Sequence, residues 1–247
     1  MKVSVCMATY NGAKYIREQV NSILTQEFVE NNETELELIV SDDGSTDGTI
    51  DILEDYNDER IKIFHHKNGK KHKYYKGLFA VTENFSHAIS KATGKYIFLS
   101  DQDDVWYPWK LDRSISVLKQ NGGVVGVAFY LGDANLNIIG KVIYKRQSFF
   151  ALRFSHSLYG FSCGFVRDEL KWIMPIPNVP QHDTFIMLTA LWRNKMHFID
   201  DVCAVHRWSG EHNVTGEANL NITPNYVRLF YRFRIWVTVI FRALIIR

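Results

Sequence analysis

The sequence predicts an α/β fold: a mostly parallel sheet flanked by helices on both faces, with an amphipathic helix at the C-terminal end. Three observations carry this reading. Strand-like and helix-like segments alternate as β-α-β-α-β-α-β up to about Ser100, the pattern of crossover connections. The strand candidates are short unbroken apolar runs, as strands covered on both faces are. Three of them stop at polar tips, Thr9-Tyr10-Asn11, Ser41-Asp42-Asp43 and Ser100-Asp101-Gln102-Asp103. A parallel sheet brings such tips to one crevice outside its carboxyl ends.

Val3 to Ala8 is the first apolar run, and Asn11-Gly12 is its turn signal. Tyr15 to Leu24 carries Ile16, Val20, Ile23 and Leu24 at helical spacing. Glu37 to Val40 is the second strand. Ser45 and Thr46 then form the N-cap region of a helix bearing Ile50, Leu53 and Tyr56. Ile61 to Phe64 is the third strand, and residues 65–77, rich in Lys, His and Gly, form a basic loop. A helix over Ala80 to Lys91 is stopped by Thr93-Gly94, and Tyr96 to Ser100 is the fourth strand. A helix begins near Pro108. Beyond it Val124 to Leu131 and Ile138 to Tyr144 read as strands, and Pro175, Pro177 and Pro180 punctuate a loop. Gln181-His182-Asp183 then opens an apolar helix. No repeat or low-complexity linker divides the chain.

A length of 247 residues gives ample room for a core, and the 46% apolar and 23% charged fractions are those of an ordinary globular chain. A net charge of +2 supplies no reason to expect nucleic-acid binding. Cys6, Cys163 and Cys203 are far apart and form no CxxC pair, which fits reduced thiols in the cytoplasm. The N-terminus reads as a first strand rather than a leader.

The run Asp101-Gln102-Asp103-Asp104 places three carboxylates at the end of a buried strand. Like charges this close favour uptake of a proton or of a cation. An Asp-x-Asp pair suits Mg²⁺ or Mn²⁺, which keep open positions for phosphate oxygens. Its alternative is a solvated acidic turn. Convergence of the three strand tips favours the site, and with it a phosphorylated or diphosphate substrate.

Val3 to Gly12, Ile39 to Thr49 and Ser100-Asp101-Gln102-Asp103-Asp104-Val105-Trp106, with Trp109-Lys110-Leu111 after them, resemble the inverting glycosyltransferases of family 2, which have the GT-A fold. Order and spacing agree over about residues 1–115. The form Ser-Asp-Gln-Asp-Asp-Val-Trp is most similar to bacterial rhamnosyltransferase-like members that build surface polysaccharides, such as O-antigen or capsule. The resemblance implies a domain over 1–222, with a nucleotide-sugar half at 1–115 and an acceptor half at 116–222. It implies a nucleotide-diphosphate sugar donor, a saccharide or lipid-linked acceptor, and Mn²⁺ or Mg²⁺.

By the same resemblance Thr9, Tyr10 and Asn11 line the base and ribose. Asp42 accepts from a pyrimidine N–H; its alternative is an acid at a helix N-terminus. Asp103 is the direct metal ligand, and Asp101 lies nearer the ribose or the metal's waters. Gln102 stands between them, and Asp104 bonds the sugar or the loop backbone. Lys73, Lys76 and Asn84 fall where the family contacts the diphosphate or the sheet edge. Asp183 fits the base that takes the acceptor's proton; its alternative is a first-turn helix acid. Asp200 and Asp201 read as a strand-end turn. Family members carry Arg-x-His-x-x-Asn near residue 207, whereas this chain has His206-Arg207-Trp208-Ser209-Gly210-Glu211-His212-Asn213. Either His206 or His212 could replace the missing metal ligand, or each could be structural.

Residues 223–247 form a tail whose only charges are Arg. At about 100° per residue, Arg228, Arg232, Arg242 and Arg247 share one side, Arg234 lies off to one side, and Val227, Phe230, Phe233, Val237, Ile240, Phe241 and Leu244 take the remaining face. Its longest charge-free run, Ile235 to Phe241, is far below the ~20 residues that span a bilayer. A helix lying in the interface on the inner face of the cytoplasmic membrane fits; packing on the domain or a homodimer are the alternatives. Rival activities lack their signatures. No GxGxxG follows a strand, as a dinucleotide dehydrogenase needs, and no Gly- and Arg-rich loop follows the first strand, as a sugar nucleotidyltransferase needs. A non-enzymatic, membrane-attached nucleotide-binding scaffold is the remaining alternative.

Overall fold

The structure, a computed structural model, describes residues 1–29, 33–67, 75–144, 158–208 and 224–246. β1 (Lys2–Thr9), β2 (Glu35–Asp42), β3 (Ile61–His65) and β4 (Tyr96–Ser100) are the parallel strands that the alternation predicts, in the order β3-β2-β1-β4. Helices α1 (Ile16–Leu24), α2 (Thr49–Glu54) and α3 (Lys76–Lys91) supply the crossovers. Val5, Cys6 and Met7 are buried in succession, as are Leu38, Ile39 and Val40, because helices cover both faces. Thr9 lies in register with Asp42, and Met7 with Ser100. The three polar tips therefore leave the sheet at one level. Glu37 is the exception inside β2. It is buried but satisfied, accepting from Ser4 Oγ at 2.6 Å, Thr93 N–H at 2.7 Å and Lys62 Nζ at 2.8 Å.

α3 begins at Lys76, ahead of the expected Ala80. Tyr75, with φ 55°, turns the chain into it, and Gly77 in its first turn hides the helical pattern.

The second half mixes strand directions. β8 (Cys163–Val166) is inserted antiparallel between β4 and β6 (Val124–Gly132), and β7 (Ile138–Val142) hangs antiparallel on β6. β9 (Met196–Arg207) runs parallel to β6, and the two-residue β5 (Val105–Trp106) pairs antiparallel with β9. Asp200 and Asp201 are interior to β9 rather than at a strand-end turn. The register shifts after Val127, pushing both acids out to exposed positions.

Gly123 opens β6 with φ +78°, and a Cβ there would stand 2.2 Å from the Lys195 carbonyl oxygen. Gly123→Ala is expected to cost about 2 kcal/mol or more in chemical denaturation, from clash and left-handed strain together.

α4 (Lys110–Asn121) follows β5, and α5 (Leu170–Ile173) follows β8. α6 (His182–Trp192) is apolar nearly all round and packs against α5, β9 and α7 (Asn225–Ile245), which occupies most of the expected tail. α7 docks through Val227, Ile235 and Val239. Arg242 is on the inward side, donating to the Ile173 carbonyl at 2.9 Å and to those of Trp172 and Pro175, with its guanidinium 5.0 Å from the Phe185 ring centre. Arg242 thus turns toward the domain. Among the described residues no helix is long and apolar enough to cross a membrane.

Candidate active site

The turns after β1, β2 and β4 are sewn together mainly by neutral groups. Asn11, with φ 49°, donates its N–H to Ser45 Oγ at 2.8 Å, and its Oδ1 accepts from Thr46 N–H at 2.9 Å. Gln102 pairs with the Tyr10 backbone as a peptide would: its Oε1 accepts from Tyr10 N–H at 2.9 Å and its Nε2 donates to Tyr10 O at 3.1 Å. Asn84 is buried and donates to the Thr9 carbonyl at 3.1 Å. The Tyr10 ring is 58% exposed at the mouth, a free face for stacking.

Asp42 is 1% exposed, and both its oxygens are engaged. Oδ1 accepts from Thr9 Oγ1 at 3.0 Å and Ser45 Oγ at 2.5 Å; Oδ2 accepts from the N–H groups of Gly44 at 3.0 Å and Ser45 at 2.9 Å. It braces its own turn, so a base N–H would have to share an oxygen already in use. Beside it, Asp43 Oδ1 lies 3.3 Å from His66 Nδ1.

At the β4 tip the carboxylates meet β9. Asp104 is fully buried; its Oδ1 accepts from His206 Nδ1 at 2.7 Å and Arg207 N–H at 3.1 Å, while its Oδ2 has no hydrogen-bond partner among the described residues. The His206 ring stacks on Phe161 at 4.8 Å and 8°. Burial alone would lower the His206 imidazole, but Asp104, Asp101 and Asp103 together lift it to about 9. Arg207, 2% exposed, donates to the Asp103 carbonyl at 2.8 Å and the Ala134 carbonyl at 2.5 Å, and it pairs with Glu18. Burial, then the charges of Asp104 and Asp103, holds the Asp101 carboxyl well above the usual range; burial and Asp104 hold Asp103 up to about 7.

One ligand atom from each of Asp101, Asp104 and His206 lies within 4.8 Å of the others. An orphaned buried carboxylate oxygen beside a second acid whose carboxyl is held well above its usual range by burial and neighbouring charge is a fit for a hard divalent cation. The triad contains Asp104, whereas the Asp-x-Asp spacing points to Asp103; Asp103 lies outside it. A carboxyl raised above its unfolded value of 3.8 adds stability below that value and loses it as pH rises through about 7. The gain in Tm on adding Mn²⁺ is therefore expected to widen from about pH 4 to about pH 7. A gain flat across that range, measured by scanning fluorimetry, would contradict a cation among these carboxylates.

Lys110, fully buried, is a neighbour of the acid cluster to which the resemblance, although it takes in Trp109-Lys110-Leu111, gives no role. Its Nζ donates to the Phe161 carbonyl at 2.7 Å and sits 3.3 Å from the Trp106 ring centre. Burial pushes it down to about 7, against the acids around it. It fixes the turn whose Phe161 supports His206. The available signal is a Lys at the head of a helix with apolar Trp109 and Leu111 on either side.

Asp183 lies in the first turn of α6 and accepts from Thr184 N–H at 2.6 Å. Burial, opposed by that bond, raises its carboxyl to about 6. It is near enough to the β4 tip for its charge to be among those raising Asp101. His182 anchors this helix start. Its ring is 4.5 Å from that of Phe85, and a Cβ on Gly160 would come 2.7 Å from its Nε2. Burial lowers it to about 3, so it is a neutral packing residue.

The fold thus gathers Thr9, Tyr10, Asn11, Gln102 and Asp101–Asp104 at one crevice, with Asp183 and His206 bordering it. Asn84 pins β1 from beneath, and Lys76 is the first residue of α3. Lys73 and His212 lie outside the described residues. A shallow hollow lined by Met1, Phe28, Thr34 and Asp112 is at the opposite, amino-terminal ends of β1 and β2.

The family profile described as Glycosyl transferase family 2 matches residues 4–169. The chain is 30% identical over 241 residues to dTDP-rhamnosyl transferase RfbG of Shigella flexneri, covering 90% of this chain and 78% of RfbG. It is 26% identical to the UDP-Glc:alpha-D-GlcNAc-diphosphoundecaprenol beta-1,3-glucosyltransferase WfgD of Escherichia coli, covering 84% and 77%. Two other bacterial glycosyltransferases match over shorter stretches, and the chain spans 37% and 44% of their lengths. Among solved structures, residues 1–349 of S. aureus TarS in complex with UDP superpose with TM-score 0.64 at 22% identity, covering 85% of this chain and 62% of that one. The fold is that of GT-A glycosyltransferases. With its profile match over most of its length and its alignment to RfbG over nine-tenths of it, the chain belongs to glycosyl transferase family 2.

Proposed function

We propose that this protein transfers a sugar, with inversion, from a nucleotide-diphosphate sugar to a saccharide or lipid-linked saccharide in surface-polysaccharide synthesis, working at the inner face of the cytoplasmic membrane. The observation that carries it is the cluster of Asp101, Asp104 and His206 at the β4 tip, with Asp183, raised to about 6, at the head of α6 and near enough for its charge to act on Asp101. One group is suited to hold a proton and the other to hold a cation. RfbG and WfgD, both named as sugar transferases, support the reaction class, and WfgD's named acceptor supports a lipid-linked one.

In this reading the base and ribose lie against Tyr10 and Thr9, framed by Asn11 and Asp42. Lys76 stands on the side of the diphosphate. The acceptor hydroxyl oxygen bonds to the anomeric carbon from the face opposite the diphosphate. The bond from that carbon to the diphosphate oxygen breaks, its electron pair leaves with the nucleoside diphosphate, and the hydroxyl proton passes to Asp183. The transition state has oxocarbenium character. Asp101 and Asp104 with His206, and Asp103 beside them, would hold Mn²⁺ or Mg²⁺, which when bound supplies Lewis-acid neutralisation of the leaving diphosphate.

The test is nucleoside-diphosphate release from a panel of UDP-, dTDP- and GDP-sugars, with and without Mn²⁺. Metal-dependent release from one donor, lost in Asp101→Asn, is the expected result. Absence of both release and metal-dependent nucleotide binding would overturn the proposal.

A further inference from the structure

α7 buries one set of apolar residues against the domain and leaves a second, larger set facing outward. Its inward side carries Val227, Ile235 and Val239 together with Arg242. Its outward side carries Leu229, Phe230, Phe233, Val237, Phe241 and Leu244, each at least 46% exposed. At about 100° per residue these six fall within an arc of about 120°. The arc runs along a helix about 30 Å long. Exposed apolar surface this continuous marks an interaction site.

The charges on the helix choose the occupant. From Asn225 to Ile245 there is no acidic residue and there are four Arg. Arg232 and Arg234 flank the apolar arc on its two sides, and the Arg234 guanidinium lies 5.9 Å from the Phe230 ring centre. A second copy of the helix would set Arg against Arg with no acid on either to answer them. An anionic lipid surface answers both features: acyl chains take the Phe and Leu side chains, and headgroup phosphates take the flanking guanidinium groups. No span is required, and no described helix could make one.

We propose that the outward face of α7 docks on an anionic bilayer surface. This deepens the membrane location proposed above and rests on it. It also has a geometric consequence. α7 lies against α6, whose first turn carries Asp183, so the lipid surface lies on the far side of α7, about one helix diameter from the base helix. A lipid-linked acceptor then has only that thickness to bridge.

The experiment is vesicle co-sedimentation of the full chain, comparing phosphatidylglycerol-containing with pure phosphatidylcholine vesicles at low and high salt. The variant Phe233→Asp/Leu244→Asp is run beside the wild type, with circular dichroism and donor release as controls for folding and for the crevice. The proposal expects salt-sensitive binding to the anionic vesicles, weakened at least about 10-fold in the variant while donor release is unchanged. Failure of the wild type to bind, or binding undiminished in the variant, overturns it. A solution dimer that the variant dissociates, without vesicle binding, overturns it in favour of a second copy. Because donor release is read separately, a wild type that releases the donor but does not bind the vesicles rejects the docking face and leaves the transferase standing.

Discussion

Asp183→Asn is expected to slow sugar transfer by about 10² to 10⁴-fold while donor affinity changes little, because the proton leaves the acceptor only in the transition state. The pH profile identifies the group. Burial sets the Asp183 carboxyl at about 6, and the base must be ionised to act. The rate should rise with pH up to about 6 and then level, and this limb should vanish in the Asn variant. A limb that persists in Asp183→Asn would transfer the base role to another carboxylate. The experiment also separates the first-turn-acid reading of Asp183, under which the variant would lose stability and keep its turnover.

The second large effect concerns Arg207. Its guanidinium is 2% exposed and ties together the Asp103 carbonyl, the Ala134 carbonyl and Glu18. Arg207→Ala takes the donor from two carbonyls of half-buried residues and leaves a cavity above Tyr15, whose ring lies 4.2 Å from the guanidinium carbon. An unmet buried acceptor costs about 1–3 kcal/mol, so a loss of about 3 kcal/mol or more is expected in denaturant unfolding. Arg207→Lys should recover little, because a single ammonium cannot reproduce the planar fork. Full rescue by Lys would show that charge alone, rather than the three-way tether, is what the site needs.

The parallel half was legible because its physics is local. Strands covered on both faces must be continuous apolar runs, so β1, β2 and β4 and their polar tips could be read directly. In the second half β6 and β7 were legible as apolar runs, but β5, β8 and β9 were not. β5 has two residues and β8 four, too short for any period to register, and the acids at the β9 bulge break that strand's pattern. In the site, the three strand tips and Asp183 were visible from spacing and resemblance. That Asp104 joins Asp101 and His206 in a group that could hold a cation was not, because it depends on a contact with His206 across 102 residues of sequence. Lys110 was missed for the opposite reason. A lysine at a helix start reads as solvent-facing until the Phe161 turn, far away in the chain, closes over it.

The Gln102 pairing with Tyr10 has a consequence for how this crevice tolerates acid and base. Asp103 and Asp183, raised to about 7 and about 6, are at the crevice, and Lys110, lowered to about 7, is buried behind it. Much of the framework beneath them is amide and hydroxyl: Gln102 on Tyr10, Asn84 on Thr9, Asn11 on Thr46 and Gly12 on Thr49. Those groups neither gain nor lose a proton at any pH the fold survives. The working charges can therefore cycle through ligand binding and release on mountings that stay fixed, much as an electrode is seated in an insulator.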